Sequence, residues 1–392
     1  MQQRIAYVHS SAAWYAEAML RAVCLVFFLG LVACSSNDEA AAPSGGSGGG
    51  AGDAGADTTA PPAPYTVDAF DKVRINSDSS KENFQHALTD VDFGAGPFEK
   101  VTLVVDLDTT CYPFDKWQDN PPPSGQNWPA DCDAFDRNFE FYLDPAADPA
   151  TDPPGIELVR AITPFGGPLH LDVDVTDVAN GLPGKHTLKV VIPTWSDGAG
   201  QVSGSDGGWF VSAHLDVVPG TAPRKVLAVK SLFNGSQTKP DPIAAIPFEV
   251  PEGTTSSRLE YRATGHGGVT GASGCGLSPA EEFCLRTHAL FVDEKSFTDV
   301  MPWRDDCDTL CTIAHQGPAN GGFDYCQENP CGAIASVKAP RANWCPGSVT
   351  PAYDFDVPEL STPGSHSFRF QIGEVADGGS WRISTTFFAF GE

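Results

Sequence analysis

Short runs of β-branched and aromatic residues, closed off repeatedly by glycine and proline, constrain this chain more than any other feature of its sequence. Residues 101–107 (VTLVVDL), 139–143, 169–175 (LHLDVDV) and 187–192 are such runs in the first half. Residues 225–232, 245–250, 257–263, 287–292, 367–372 and 381–390 form a second set. Leu169, Leu171, Val173 and Val175 share one parity, and His170, Asp172 and Asp174 the other, which is the alternation of a half-buried strand. The punctuation comes from 40 glycines and 33 prolines, and no long amphipathic helix or short-period repeat interrupts it. The pattern predicts an all-β protein. Two antiparallel β-sandwiches of ~150 residues each account for it. The turn-rich residues 217–223 mark the boundary, giving domains 65–223 and 224–392.

The N-terminus reads as an address. Residues 22–33 (AVCLVFFLGLVA) form an unbroken apolar run of 12, preceded by Arg21 and followed by Cys34. A membrane span needs ~20 apolar residues, so this run is too short. It looks like a bacterial lipoprotein signal covering residues 1–34, with cleavage before Cys34 and lipid on its sulfur. An ordinary secretory signal is the other reading, and both export the protein. Met19 would serve as a start as well as Met1, because residues 1–18 add nothing a signal needs. Ser35 after the cysteine suggests the outer membrane or cell surface. Residues 35–64 carry no aromatic, lysine or arginine and read as a flexible tether.

Charge narrows the partners. Fifty acidic side chains against 24 basic ones give a formal net charge of −26. Nucleic acid and anionic lipid surfaces both select clustered Lys and Arg, so neither is expected as a partner. A monomer is expected.

Of the 11 cysteines, Cys24 lies in the signal and Cys34 would carry lipid. Nine remain, and in an oxidising compartment they read first as disulfides. Nine is odd, so one thiol is free or pairs with something else. Cys307 and Cys311 have the spacing of half a zinc site, but zinc needs a second ligand pair and reduced thiolates. No metal and no cofactor is expected.

Three stretches could carry chemistry. In Cys132-Asp133-Ala134-Phe135-Asp136-Arg137-Asn138, Asp136 falls near the start of a strand on its polar face, with Glu140 and Tyr142. A carboxylate held on a rigid element can act as a general base. From spacing alone, a solvated edge acid or a turn cap explains it better. The second stretch is Glu281-Glu282-Phe283-Cys284-Leu285-Arg286-Thr287-His288, where Glu282 could supply a second carboxylate. Its bland reading is loop surface, with His288 half-buried in a strand. The third is Arg341-Ala342-Asn343-Trp344-Cys345-Pro346-Gly347. An Arg and a Trp there, with Trp195, could line a pocket for a sugar-like ligand, although core is the commoner place for Trp.

Taken together, these motifs resemble the peptide-N-glycosidase F family of bacterial glycoamidases. Residues 65–73 resemble the family's TFDKV run and 132–137 its CDEWDR motif. Residues 160–165 and 174–177 resemble RFITPY and DVTD, 282–288 resemble EWCFRTH, and 341–347 resemble RAGWCPG. The resemblance implies two side-by-side antiparallel eight-stranded jelly-roll sandwiches with the site at their interface. It implies hydrolysis of the amide between asparagine and N-acetylglucosamine in N-linked glycoproteins or glycopeptides, converting Asn to Asp. Asp136 matches the family's water-activating aspartate and Glu282 one of two supporting glutamates. Arg137, Arg341, Trp195 and Trp344 match residues at or near the substrate cleft. Cys111–Cys132 and Cys275–Cys284 match two family disulfides, and Cys345, with Cys307 as partner, the third. An insertion between Cys307 and Cys345 adds Cys311, Cys326 and Cys331.

The chain also departs from the pattern. Pro193 stands where the family places its other glutamate, Phe135 replaces the tryptophan of CDEWDR, and Thr264 that of GWGH. Asp197 or Asp206 could reach in to replace the glutamate. A non-catalytic glycan- or protein-binding surface lipoprotein on the same scaffold is the alternative reading, and Pro193 is its best support. A copper monooxygenase on paired jelly rolls would need clustered His and Met, and Met301 is the one methionine beyond residue 64.

Overall fold

The structure, a computed structural model, describes residues 63–392 apart from 112–116, 118, 149–151, 271–272 and 319–320. The expected signal, the expected lipidation residue Cys34 and all of the expected tether but residues 63 and 64 lie outside the described residues.

The first half of the chain, joined by the short strand Ser348–Val349 from the second, builds two antiparallel sheets. In one the strand order is Tyr65–Asn76, Gly208–Pro219, Phe98–Asp108, Leu169–Asp174. In the other it is Ser348–Val349, Ile156–Ile162, Asn138–Leu143, Lys185–Val191, His86–Asp92. One apolar core lies between them, fed by Val101, Leu103, Val105 and Leu107 from one sheet and Phe139, Phe141, Val159 and Leu188 from the other. The second half repeats the plan. Ile246–Val250, Gly364–Ile372, His288–Val292 and Lys295–Val300 form one sheet. Tyr353–Asp356, Ser256–Thr270, Asp377–Gly391 and Lys225–Gln237 form the other. A second core, including Tyr261, Phe370, Trp381 and Phe387, fills the space between these two sheets. The all-β, antiparallel expectation holds.

Local sequence explains most strands. Strand Leu169–Asp174 exposes His170, Asp172 and Asp174 and turns Leu171 inward, as its alternation requires. Strand Asn138–Leu143 corrects the expected pattern. Glu140 and Tyr142 occupy its polar face, yet both are buried. In strand Ile156–Ile162 every residue is buried, including Glu157 and Arg160. The reason is a second covering layer: the outer face of this sheet packs on the second half of the chain.

The groups on that outer face satisfy one another. Arg160 Nε and Nη2 donate to the two Glu157 carboxylate oxygens at 2.8 and 2.7 Å, and Glu140 lies 3.3 Å away. Arg160 Nη1 donates to the backbone oxygen of Arg382 at 2.6 Å, and Arg382 itself pairs with Glu140 at 3.2 Å. Arg382 also donates to the Tyr142 hydroxyl at 2.6 Å. Arg160 and Glu157 belong to the first half and Arg382 to the second, so this network ties the two together. Desolvation alone would raise the Glu157 carboxyl, but Arg160, Arg262 and Arg382 overcome it and hold the group below its ordinary value. A carboxyl depressed in the folded state adds stability above its unfolded pKa, and that stability is lost as pH falls through the folded value.

Removing one member of such a pair strands the other in low dielectric. Arg160→Met is expected to cost about 3–5 kcal/mol at neutral pH, read from urea denaturation. A loss under about 1 kcal/mol would show the network to be dispensable.

Candidate active site

Asp133 organises the loop that carries Asp136. Its side chain is fully buried and accepts from Arg137 Nε and Nη2 at 3.0 Å each, from Ser203 Oγ at 3.1 Å and from Trp209 Nε1 at 3.2 Å. The Thr194 hydroxyl donates to it as well. Sequence reasoning passed over this residue in favour of its neighbour, although its i, i+4 spacing to Arg137 was visible. The pairing fixes the Arg137 guanidinium between two rings, 5.3 Å from the Phe135 centroid and 5.3 Å from that of Trp195. Trp195 is half-buried.

Asp136 therefore leaves a rigid loop just ahead of strand Asn138–Leu143. It is half-buried, and burial raises its carboxyl above the ordinary value. Arg341 and then Arg137 oppose the rise, and Asp133 adds to it. Arg341 comes from the second half, so the structure brings these two sequence-predicted residues together across the junction.

Glu282 joins them. Its neighbour Glu281 is the anchor: fully buried, it receives Arg286 Nε at 2.8 Å, Trp381 Nε1 at 2.7 Å and the Ala376 N–H at 2.6 Å. That fixes the short helical turn Glu281–Phe283 and leaves the Glu282 side chain 26% exposed, 3.5 Å from Arg341 Nη1. Burial pushes the Glu282 carboxyl up to about 7, with Arg341 opposing and the Asp136 charge reinforcing. The two carboxylates are thus electrically linked.

Arg341 lies behind them and is fully buried. Its guanidinium stacks 4.3 Å from the Trp344 centroid and 4.7 Å from that of Phe283. Nη2 donates to the Ser336 carbonyl at 2.7 Å and to its hydroxyl at 2.8 Å. Among the described residues Nε and Nη1 make no hydrogen bond, and Nη1 has the Glu282 carboxylate as its ion-pair partner. Trp344 is 1% exposed, donates its N–H to the Gly265 carbonyl at 2.8 Å and stacks on His266. It forms the floor of the site under Arg341. Between them, Asn343 takes φ +65°, a region that Asn tolerates better than most residues. This is where the family motif has glycine. Burial, helped by Arg160, Arg341 and Arg382, holds the His266 imidazole down to about 3, so it is neutral. His288, expected to be half-buried, is fully buried and hydrogen-bonded to the Tyr261 hydroxyl at 2.7 Å.

Both acids expected to replace the family's second glutamate have other partners. Pro193 is half-buried. Asp197 spends its oxygens on the backbone N–H groups of Ala199, Gln201 and Val202. Asp206 pairs with Lys81 at 2.6 Å.

Among the described residues, four disulfides staple this region. Cys111–Cys132, Cys275–Cys284 and Cys307–Cys345 are those the resemblance implied. Cys311–Cys326 is the fourth, so the two cysteines with half-zinc spacing go to separate bridges. Among the described residues, Cys331 is the free thiol. Its sulfur and those of Cys111 and Cys132 lie within 4.8 Å of one another. Gly166, at φ +71°, makes room for them, since a Cβ there would sit 2.6 Å from the Cys331 sulfur.

Fold and site define a class: a double-sandwich β-protein with paired carboxylates and a buried arginine where its halves meet. Residues 234–388 match the family model described as Peptide-N-glycosidase F, C terminal. The peptide-N(4)-(N-acetyl-beta-D-glucosaminyl)asparagine amidase F of Elizabethkingia miricola is 26% identical over 266 residues, 61% of this chain and 64% of that protein. The match therefore spans just under two thirds of that relative. A crystal structure of peptide-N(4)-(N-acetyl-beta-D-glucosaminyl)asparagine amidase superposes with a TM-score of 0.58 at 21% identity, covering 84% of this chain and 96% of that one. PNGase F of Flavobacterium meningosepticum, described as a glycosylasparaginase, gives 0.57 at 20% identity, over 84% and 96% of the two chains. PNGF-II gives 0.60 at 18%, covering 83% of this chain and 65% of that one. The structural likenesses speak for the fold. In sequence, the chain is thus similar to the PNGase F family over residues 234–388 and to one of its amidases at 26% identity.

The Cys331 thiol is pushed well up by burial, with Asp133 adding to the shift. Native protein is expected to leave Cys331 largely unmodified by iodoacetamide at pH 8, and protein unfolded in urea to modify it fully. Peptide mapping by mass spectrometry reads both, and rapid labelling of the native thiol would contradict the burial.

Proposed function

We propose that this protein is an exported amidase. It hydrolyses the bond between asparagine and N-acetylglucosamine in N-linked glycopeptides or glycoproteins, releases the glycan and leaves aspartate. The carrying observation is the linked pair Asp136 and Glu282, set against Arg341 where the two halves meet. The amidase named among the relatives supports the choice of bond.

The chemistry follows from the geometry. Asp136 takes a proton from water as the water oxygen attacks the amide carbonyl. Glu282, as carboxylate, accepts the other water hydrogen and orients the attack. Positive charge on Arg137 and Arg341 offsets the charge gathering at the centre. The proton held by Asp136 goes to the departing nitrogen as the C–N bond breaks. Water and amide are thus consumed, and aspartate and a glycosylamine are produced. Trp195, half-buried and stacked on Arg137, offers a flat surface to a sugar C–H face. Trp344 serves the substrate from beneath, by fixing Arg341. No metal or cofactor enters these steps. Lipid anchoring through Cys34 and the two-jelly-roll domain division at residues 223–224 belong to the same proposal.

The test uses full-length protein made under oxidising conditions and a denatured N-glycoprotein, with mass spectrometry of the peptides. Glycan release with Asn converted to Asp is expected, and Asp136→Asn is expected to reduce the rate at least about a hundredfold. No conversion by well-folded protein across high-mannose and complex glycopeptides would favour the binding-only alternative. Release that leaves N-acetylglucosamine on Asn would move the scissile bond.

The pH dependence has a definite sign. Glu282 is protonated below about 7 and then cannot accept from the water. The rate is expected to rise as pH increases through about 7, and Glu282→Gln to be slow with this limb removed. A limb that persists unchanged in Glu282→Gln would assign it to another group.

A further inference from the structure

We propose that Ser336 is a positioning residue that fixes the orientation of the Arg341 guanidinium behind the carboxylate pair. The inference rests on the amidase reading of this site and assigns a role to the insertion between Cys307 and Cys345.

The insertion is built into the site rather than hung on its edge. Its hairpin Ile313–Gln316 and Phe323–Cys326 is closed at the base by Cys311–Cys326. From there the chain turns back towards the catalytic loops. Asn329 accepts from the Phe165 N–H at 3.0 Å and donates to the Pro346 carbonyl at 3.2 Å. The Cys331 N–H donates to the Phe165 carbonyl at 2.9 Å. The short helix Ile334–Val337 follows, and its Ser336 meets Arg341.

Two kinds of contact hold Arg341, and they do different work. Stacking on Trp344 and Phe283 fixes the plane of the guanidinium. A ring face attracts the cation electrostatically and does not select which nitrogen points where. The in-plane orientation needs directional partners, and Ser336 supplies both, the carbonyl at 2.7 Å and the hydroxyl at 2.8 Å on the same nitrogen, Nη2. With Nη2 pinned, Nη1 faces Glu282 at 3.5 Å. Among the described residues Nε has no acceptor and Nη1 has only that distant carboxylate, an expensive arrangement for a fully buried guanidinium. Holding the group in that pose therefore takes a second restraint, and Ser336 is the side chain that provides it.

The test compares Ser336→Ala, which keeps the carbonyl and loses the hydroxyl, with Ser336→Thr, which keeps both. Glycopeptide hydrolysis is followed against pH. Ser336→Ala is expected to lower kcat about tenfold, the scale of one hydrogen bond to a charged group, with KM unchanged. Thermal midpoints are expected to agree within about 2 °C. The groups facing Glu282 are Arg341 and Asp136, with Arg137 and Asp133 behind Asp136. A loosened Arg341 opposes protonation of Glu282 less well, so the limb near 7 is expected to move to higher pH. Ser336→Thr is expected to restore both rate and limb. An unchanged Ser336→Ala profile, or failure of Ser336→Thr to rescue, would overturn the proposal.

A second readout does not depend on activity. Glutamate-labelled protein, with Glu282→Gln to assign the resonance, gives the Glu282 titration by carboxyl NMR. If wild type cleaves no glycopeptide, the functional reading fails, and an upward shift of that titration in Ser336→Ala still upholds the positioning role. No shift would refute it.

Discussion

The Arg160 guanidinium, held between Glu157, Glu140 and the backbone of Arg382, is the interaction on which the rest of this protein depends. Asp136 belongs to the first sandwich, and Glu282 and Arg341 to the second half of the chain. Nothing in either half alone would place them within reach of one another. A purely apolar junction would hold the halves together but tolerate sliding, because hydrophobic contact is non-directional. Charged groups that must each find a partner allow far fewer positions. Register at the junction thereby becomes geometry at the site.

Within the site, two acids do opposite jobs in each half. Asp133 and Glu281 are fully buried, fully partnered and hold loops in place. Asp136 and Glu282 are partly open, and burial without enough partners lifts their carboxyl groups. One acid in each pair gives rigidity and the other keeps an unsatisfied carboxyl, and the rigid one comes within three positions of its partner.

Much of the strand pattern was legible in the sequence because one face of most strands meets water. Residues 169–174 announce themselves in this way. Glu140 misled for the converse reason: a polar face reads as solvated, and here it is buried against the other half. The four-residue strands of the insertion are too short for any periodicity to show. Asp136, Glu282 and Arg341 were found through ordered motifs, since spacing alone left each with an ordinary explanation. Asp133 and Glu281 were missed because the partners that define them lie far along the chain: Trp209 is 76 residues from Asp133 and Trp381 is 100 from Glu281. Such pairings exist only after folding.

The insertion between Cys307 and Cys345 carries one last consequence. It touches the first half at Phe165 and the second at Arg341, while its own base is bridged by a disulfide. A cleft braced from both banks behaves as an arch with a keystone, not as a jaw. Its width is set when the chain folds, so whatever enters meets a span already fixed.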